Sequence, residues 1–167
     1  MKTSSASKWE HSFRNWHIPL TKGHLLLKDA LVDMHVFLHG EFSSNHPMRP
    51  DDCIHIILGR GMLAHDEAFV LGFTLGSSKP VETFEDHMHS YPQDYDDAEY
   101  EIFQDGLSLA MSSHCPALDE VDYNRYLNIN INTIRQTLGI STDMLKAYYK
   151  QEAQRFPYAK ESQRLIN

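Results

Sequence analysis

Apolar side chains recur every three or four residues along most of this chain, and the period-two alternation of a half-buried strand is nearly absent. That pattern restricts the chain to packed helices, because each apolar stripe must be covered by another helix. In segment 21–40, Leu27, Ala30, Leu31, Met34 and Phe37 or Leu38 share one face, and Gly40 is a stop. "SSNHPMRP" reads as a loop. Pro50 suits the first position of a second helix, which runs to about Arg60 and is ended or bent by Gly59 and Gly61. A third helix is expected over 65–77, with Phe69, Val70, Phe73 and the small Gly76. Residues 78–92 read as irregular. Tyr95, Ala98, Ile102, Gly106 and Leu109 form one face of a long fourth helix. "VDYNRYL" and "NINTIRQTLGI" read as two short helices, and "STDMLKAYYKQEAQRF" as a last one capped by Ser141 or Thr142. The expectation is an all-α, single-domain multi-helix bundle over residues 1–167.

Composition narrows the function classes. The 167 residues suit one domain, and 41% hydrophobic with 23% charged residues is an ordinary globular mix. A net charge of −8 without a basic run argues against nucleic acid as a partner. No stretch approaches the ~18 apolar residues of a spanning helix. The two cysteines, Cys53 and Cys115, form no metal-type pair and suggest no disulfide framework, so a reducing cytoplasm is the default location. Trp9, Phe13 and Trp16, with Lys8 and Arg14 beside them, mark an aromatic N-terminal arm within residues 1–20. Two readings fit the arm: a helix docked on the domain, or an anchor at a membrane surface.

The stretch "RPDDCIHIILGRGMLAHDE", positions 49–67, concentrates the chemistry. If Pro50 opens a helix, Asp51 and Asp52 lie in its first turn, where the helix dipole favours acids by ~0.3–1 kcal/mol each. That structural role alone would account for them. Spacing adds a second reading. Asp51, Asp52 and His55 can share one helix face, and Glu67 opens the next helix across a short glycine-containing connection. Carboxylates and an imidazole converging there repel one another unless a cation intervenes or a proton is retained. Among the eleven histidines, His35, His39, His87 and His89 read as packing or surface residues, since sequence places no third ligand beside them.

"DDCIHIILGRGMLAHDE" resembles the signature of the coenzyme Q biosynthesis protein 4 family, H-D-x-x-H-x(11)-E. Asp52, His55 and Glu67 fall on its Asp, second His and Glu with the same eleven-residue gap. His55, Leu58, Gly59 and Gly61 are similar to its H-x-L-x-G-x-G continuation, with the leucine one residue later. Downstream, Gly106, Ala110, Val121, Asp122, Tyr123 and Leu138 to Ile140 are similar to its closing pattern. The resemblance spans residues 45–140, and it departs at Asp51, which replaces the family's first histidine.

The resemblance implies a helical protein with a zinc site, bound to a polyprenyl lipid or quinone precursor. The implied activity is oxidative decarboxylation and hydroxylation of a prenylated benzoate ring, a lyase-type step of ubiquinone biosynthesis. The other reading is a non-catalytic lipid-binding or scaffold protein with a structural metal, working with other quinone-biosynthesis enzymes. On the first reading Asp51, Asp52, His55 and Glu67 hold the ion, Asp51 binds it or acts as a general base, and His65 orients a ligand or moves protons. Three carboxylates and one imidazole form a harder ligand set than the family's, which shifts preference toward Mg²⁺, Mn²⁺ or Fe²⁺. Leu31, Phe37, Phe69, Phe73, Ile102, Phe103 and Gly106 read either as the lining of a lipid tunnel or as plain core and helix contact, and the resemblance is compatible with a protein peripheral on the inner face of the membrane and with a homodimer.

Overall fold

The computed structural model describes residue 20 and residues 50–78, 84–89 and 92–162. Six α-helices occur among them: α1 Pro50–Leu58, α2 Ala64–Ser77, α3 Phe84–Met88, α4 Asp97–Ser112, α5 Ile131–Leu138 and α6 Thr142–Arg155. Two 3-10 turns, Leu118–Glu120 and Tyr123–Tyr126, connect α4 to α5. The described residues contain no β-strand, and no described helix is long and apolar enough to cross a membrane. The described residues are all-α, as their periodicity predicted. The aromatic arm and the helix expected over 21–40, with Leu31 and Phe37, lie outside the described residues.

Local chemistry explains the helix ends. Asp96 accepts from Glu99 N–H at 2.8 Å to start α4, and Ser141 accepts from Met144 N–H at 3.2 Å to start α6. Helix α1 stops at Leu58 rather than Arg60, because Gly59 takes a left-handed backbone with φ of 68°. Gly59 N–H then donates to Ile56 O at 3.0 Å, and Arg60 N–H to His55 O at 2.7 Å. This paired arrangement satisfies two carbonyls of the last turn. Helix α5 ends the same way at Gly139, with Ile140 N–H donating to Arg135 O at 2.8 Å. Two expectations need correction. The stretch 78–92 holds the five-residue α3, too short to show a period, and "VDYNRYL" forms a 3-10 turn rather than an α-helix.

Helices α2 and α4 form the centre of the core. Phe69 and Phe73 from one, and Ile102, Phe103 and Leu107 from the other, are wholly buried. Burying such a side chain contributes about 1.5–3 kcal/mol. The two helices touch backbone to backbone. A Cβ on Gly72 would lie 2.1 Å from Phe103 O, and one on Gly106 would lie 2.2 Å from Phe69 O. Gly76 lies against Ala110 in the same seam. Gly106 therefore permits helix contact, and no volume for a lipid chain exists at that point. Helix α6 covers this pair with Tyr149, whose ring centroid is 6.3 Å from that of Phe69. Behind α2, Leu118 N–H donates to Ser77 Oγ at 3.1 Å, and Tyr123 OH donates to Leu118 O at 2.7 Å.

Candidate functional site

Pro50 opens α1, and Asp51 follows it into solvent, 69% exposed. One turn later His55 is completely buried. Its Nδ1 lies 2.7 Å from Gly61 O. A carbonyl can only accept, so Nδ1 carries the proton and donates. That leaves Nε2 facing the remaining groups. Glu67 Oε1, from the first turn of α2, is 3.6 Å from Nε2, and Asp51 Oδ2 is 3.9 Å away. Both distances are too long for a hydrogen bond, and Nε2 is a buried nitrogen without one. Glu67 is half exposed, so both carboxylates can rotate toward the ring.

Burial is the largest influence on this imidazole and works to lower its pKa. The carboxylates of Glu67 and Asp51, with the Gly61 carbonyl, outweigh burial and hold the pKa above the ordinary histidine value. Protonation thus favours the folded state, an effect fully present below the unfolded value of ~6.5 and lost as pH rises through the higher folded value. The ion-free chain should therefore lose melting temperature as pH rises through that window. His55→Gln should flatten the loss, as thermal melts at stepped pH will show; an equal slope in both proteins would remove His55 as its source.

The structure brings together Asp51, His55 and Glu67. Asp52, expected on the same face, is buried and has an interaction of its own. Helical spacing brings its Cβ near His55, but the direction of the side chain decides its contacts. His65 also departs from expectation. Its Nδ1 lies 3.9 Å from Glu152 Oε1 and 3.8 Å from Glu161 Oε2, and its ring packs edge-on to Phe156. It belongs to the junction of α2 with the C-terminal segment rather than to the His55 group.

Sequence reasoning missed Arg60. Its guanidinium is fully buried and grips Glu152 of α6 with both arms, Nη1 at 3.1 Å and Nη2 at 2.5 Å. Asp66 stands 3.7 Å away, and the rings of Phe69 and Tyr149 lie 4.1 and 4.8 Å from the guanidinium carbon. Arg135 was missed too. It is buried, and its Nε donates to Ile57 O at 2.5 Å, in the last turn of α1. Burial brings its pKa down to about 10.

An ion with bonds of ~2.1 Å holds tetrahedral ligands ~3.4 Å apart, so the distances around Nε2 are slightly open. Among the described residues, no group of three or more His, Cys, Asp or Glu side chains is arranged to hold a metal ion as it stands. A polar cavity of about 450 Å³ between α5 and α6, lined by Asn132, Gln136, Ser141, Thr142 and Lys146 among others, contains none of the expected site residues. Comparison of the chain with family models, curated proteins and solved structures gives no match. The His55 group therefore rests on its own geometry.

Proposed function

We propose that the chain is a divalent-metal protein of ubiquinone or related polyprenyl-quinone biosynthesis, with its ion at His55. One observation carries the metal reading: a fully buried imidazole nitrogen without a hydrogen bond faces two solvent-exposed carboxylates. The Nδ1–H bond to Gly61 O supports it, because metal-binding histidines are commonly fixed through the second nitrogen in this way. Glu67 and Asp51 need only side-chain rotation to approach Nε2, and Asp52 is the next carboxylate on α1. The quinone part of the reading rests on the resemblance of residues 51–67 to the coenzyme Q biosynthesis protein 4 family.

A bound ion would supply Lewis-acid chemistry to an oxygen-bearing ring substrate. His55 anchors it, and Glu67 offsets its charge. Asp51, the most exposed of the group, takes a proton from substrate in this reading if it is not itself a ligand. The closed seam at Gly72 and Gly106 assigns no prenyl-tail path between α2 and α4.

The test is titration of the chelator-treated protein with Zn²⁺ and Mn²⁺, comparing wild type with His55→Ala and Asp52→Ala. Binding that disappears in His55→Ala supports the site, and wild-type protein that takes up neither ion overturns it. Variants that lose the ion and the fold together favour the scaffold reading with a structural metal; variants that lose only turnover favour the enzyme. Asp51→His should raise zinc affinity relative to Mn²⁺, since imidazole is the softer ligand. An unchanged preference in competitive titration places Asp51 outside the ligand set.

A further inference from the structure

Arg60 stands where the end of α1 meets the fixing of the His55 ring. Its N–H donates to His55 O at 2.7 Å, and its neighbour Gly61 accepts from His55 Nδ1 at 2.7 Å. The turn Gly59–Arg60–Gly61 thus holds both the backbone and the ring of one histidine. This turn has two glycines and little intrinsic rigidity. Its anchor is the Arg60 side chain, fixed in a two-armed ion pair with Glu152, 92 residues downstream on α6. The planar fork constrains direction as well as distance, and two aromatic faces hold the guanidinium plane.

We infer that Arg60 and Glu152 are positioning residues for the proposed ion site, fixing the turn whose carbonyl sets the tautomer and aim of His55. The inference rests on the metal reading above, but its first readout does not. In ion-free wild-type protein, at a pH raised until the ring ¹⁵N shifts read a neutral imidazole, those shifts should show the proton on Nδ1 of His55. Glu152→Gln keeps the shape of the pair and removes its charge, and a mixture of tautomers is expected. Glu152→Asp, which withdraws the carboxylate by one methylene, is the second variant if the first fails to fold.

The second readout is affinity for Zn²⁺ alone, expected to weaken about tenfold or more in either variant while the helical circular-dichroism spectrum is kept. Gly139→Ala supplies the control for general destabilisation, since it strains a left-handed turn against His114 O without touching Arg60. It should keep wild-type zinc affinity. Folded Glu152 variants with the wild-type tautomer and wild-type affinity overturn the inference, as does equal weakening in Gly139→Ala. Wild-type protein that binds neither Zn²⁺ nor Mn²⁺ overturns the metal reading instead, and the tautomer comparison still decides whether the pair positions the ring.

Discussion

Gly106→Ala and Gly72→Ala should each lower the melting temperature by about 2–12 °C, although both substitutions improve helix propensity. Two effects of opposite sign compete. Replacing a mid-helix glycine by alanine stabilises an isolated helix by about 0.8–1 kcal/mol. Against this, the new Cβ would lie 2.1 or 2.2 Å from a carbonyl oxygen of the facing helix. Backbone cannot rotate away as a side-chain tip can, so the axes of α2 and α4 must separate. Separation loosens Phe69, Phe73, Ile102 and Phe103, all wholly buried in that seam. Overpacking of this kind costs about 1–3 kcal/mol net or more, and each kilocalorie lowers the melting temperature by roughly 2–4 °C at this chain length. Thermal melts followed by circular dichroism measure the outcome. A variant as stable as wild type would mean that the helices do not touch there, and would reopen the seam to a lipid chain.

Arg60→Met should be among the most damaging single substitutions outside that seam, costing about 3–5 kcal/mol. The reason lies in the charges left behind. Asp66 is 0% exposed and Glu152 is 1% exposed. Arg60 is the cation beside both, 3.7 Å from Asp66 and 2.5 Å from Glu152, and its removal takes that cation from two buried carboxylates. The guanidinium's contacts with the Phe69 and Tyr149 rings are lost as well. Glu152→Gln should cost less, because Arg60 then still faces Asp66 at 3.7 Å and one charge balances the other. The two variants also separate by pH. Buried carboxylates that have lost their guanidinium bind protons more readily when folded than when unfolded, so Arg60→Met should regain stability as pH falls. Urea denaturation at stepped pH reads both the order and the slope. If Glu152→Gln proves costlier than Arg60→Met, the ion pair does not carry the balance assigned to it.

The fold was legible where local rules fix it. Pro50 and Gly59 bracket α1 in the sequence as they do in the structure. The eleven-residue gap before Glu67 is what α1, its closing turn and the first turn of α2 consume, so Asp51, His55 and Glu67 could be grouped in advance. Gly106 could be read as a small residue on a helix face, but not as pressed against Phe69, because spacing carries no record of the facing helix. For Asp52 the i, i+3 argument places a Cβ and leaves side-chain direction open. The pairing of Arg60 with Glu152 was beyond reach, since a separation of 92 residues leaves no periodicity to detect. Much of the downstream resemblance has structural duties: Gly106 and Ala110 line the α2–α4 seam, Tyr123 pins a 3-10 turn, and Gly139 closes α5.

The long reach from Arg60 to Glu152 also sets an order of events during synthesis. Translation at about 5–20 residues per second separates the two residues by roughly 5–20 s. Throughout that interval the emerging chain carries Asp51, Asp52, His55 and Glu67, while the carboxylate that secures the turn beside His55 has yet to be made. Arg60 spends the same interval as a cation without its two-armed partner, unable to enter the core at low cost. The α1–α2 unit therefore stays unfinished until α6 arrives, and a nascent chain stalled before Glu152 should expose the α1–α2 turn to protease that the completed protein resists.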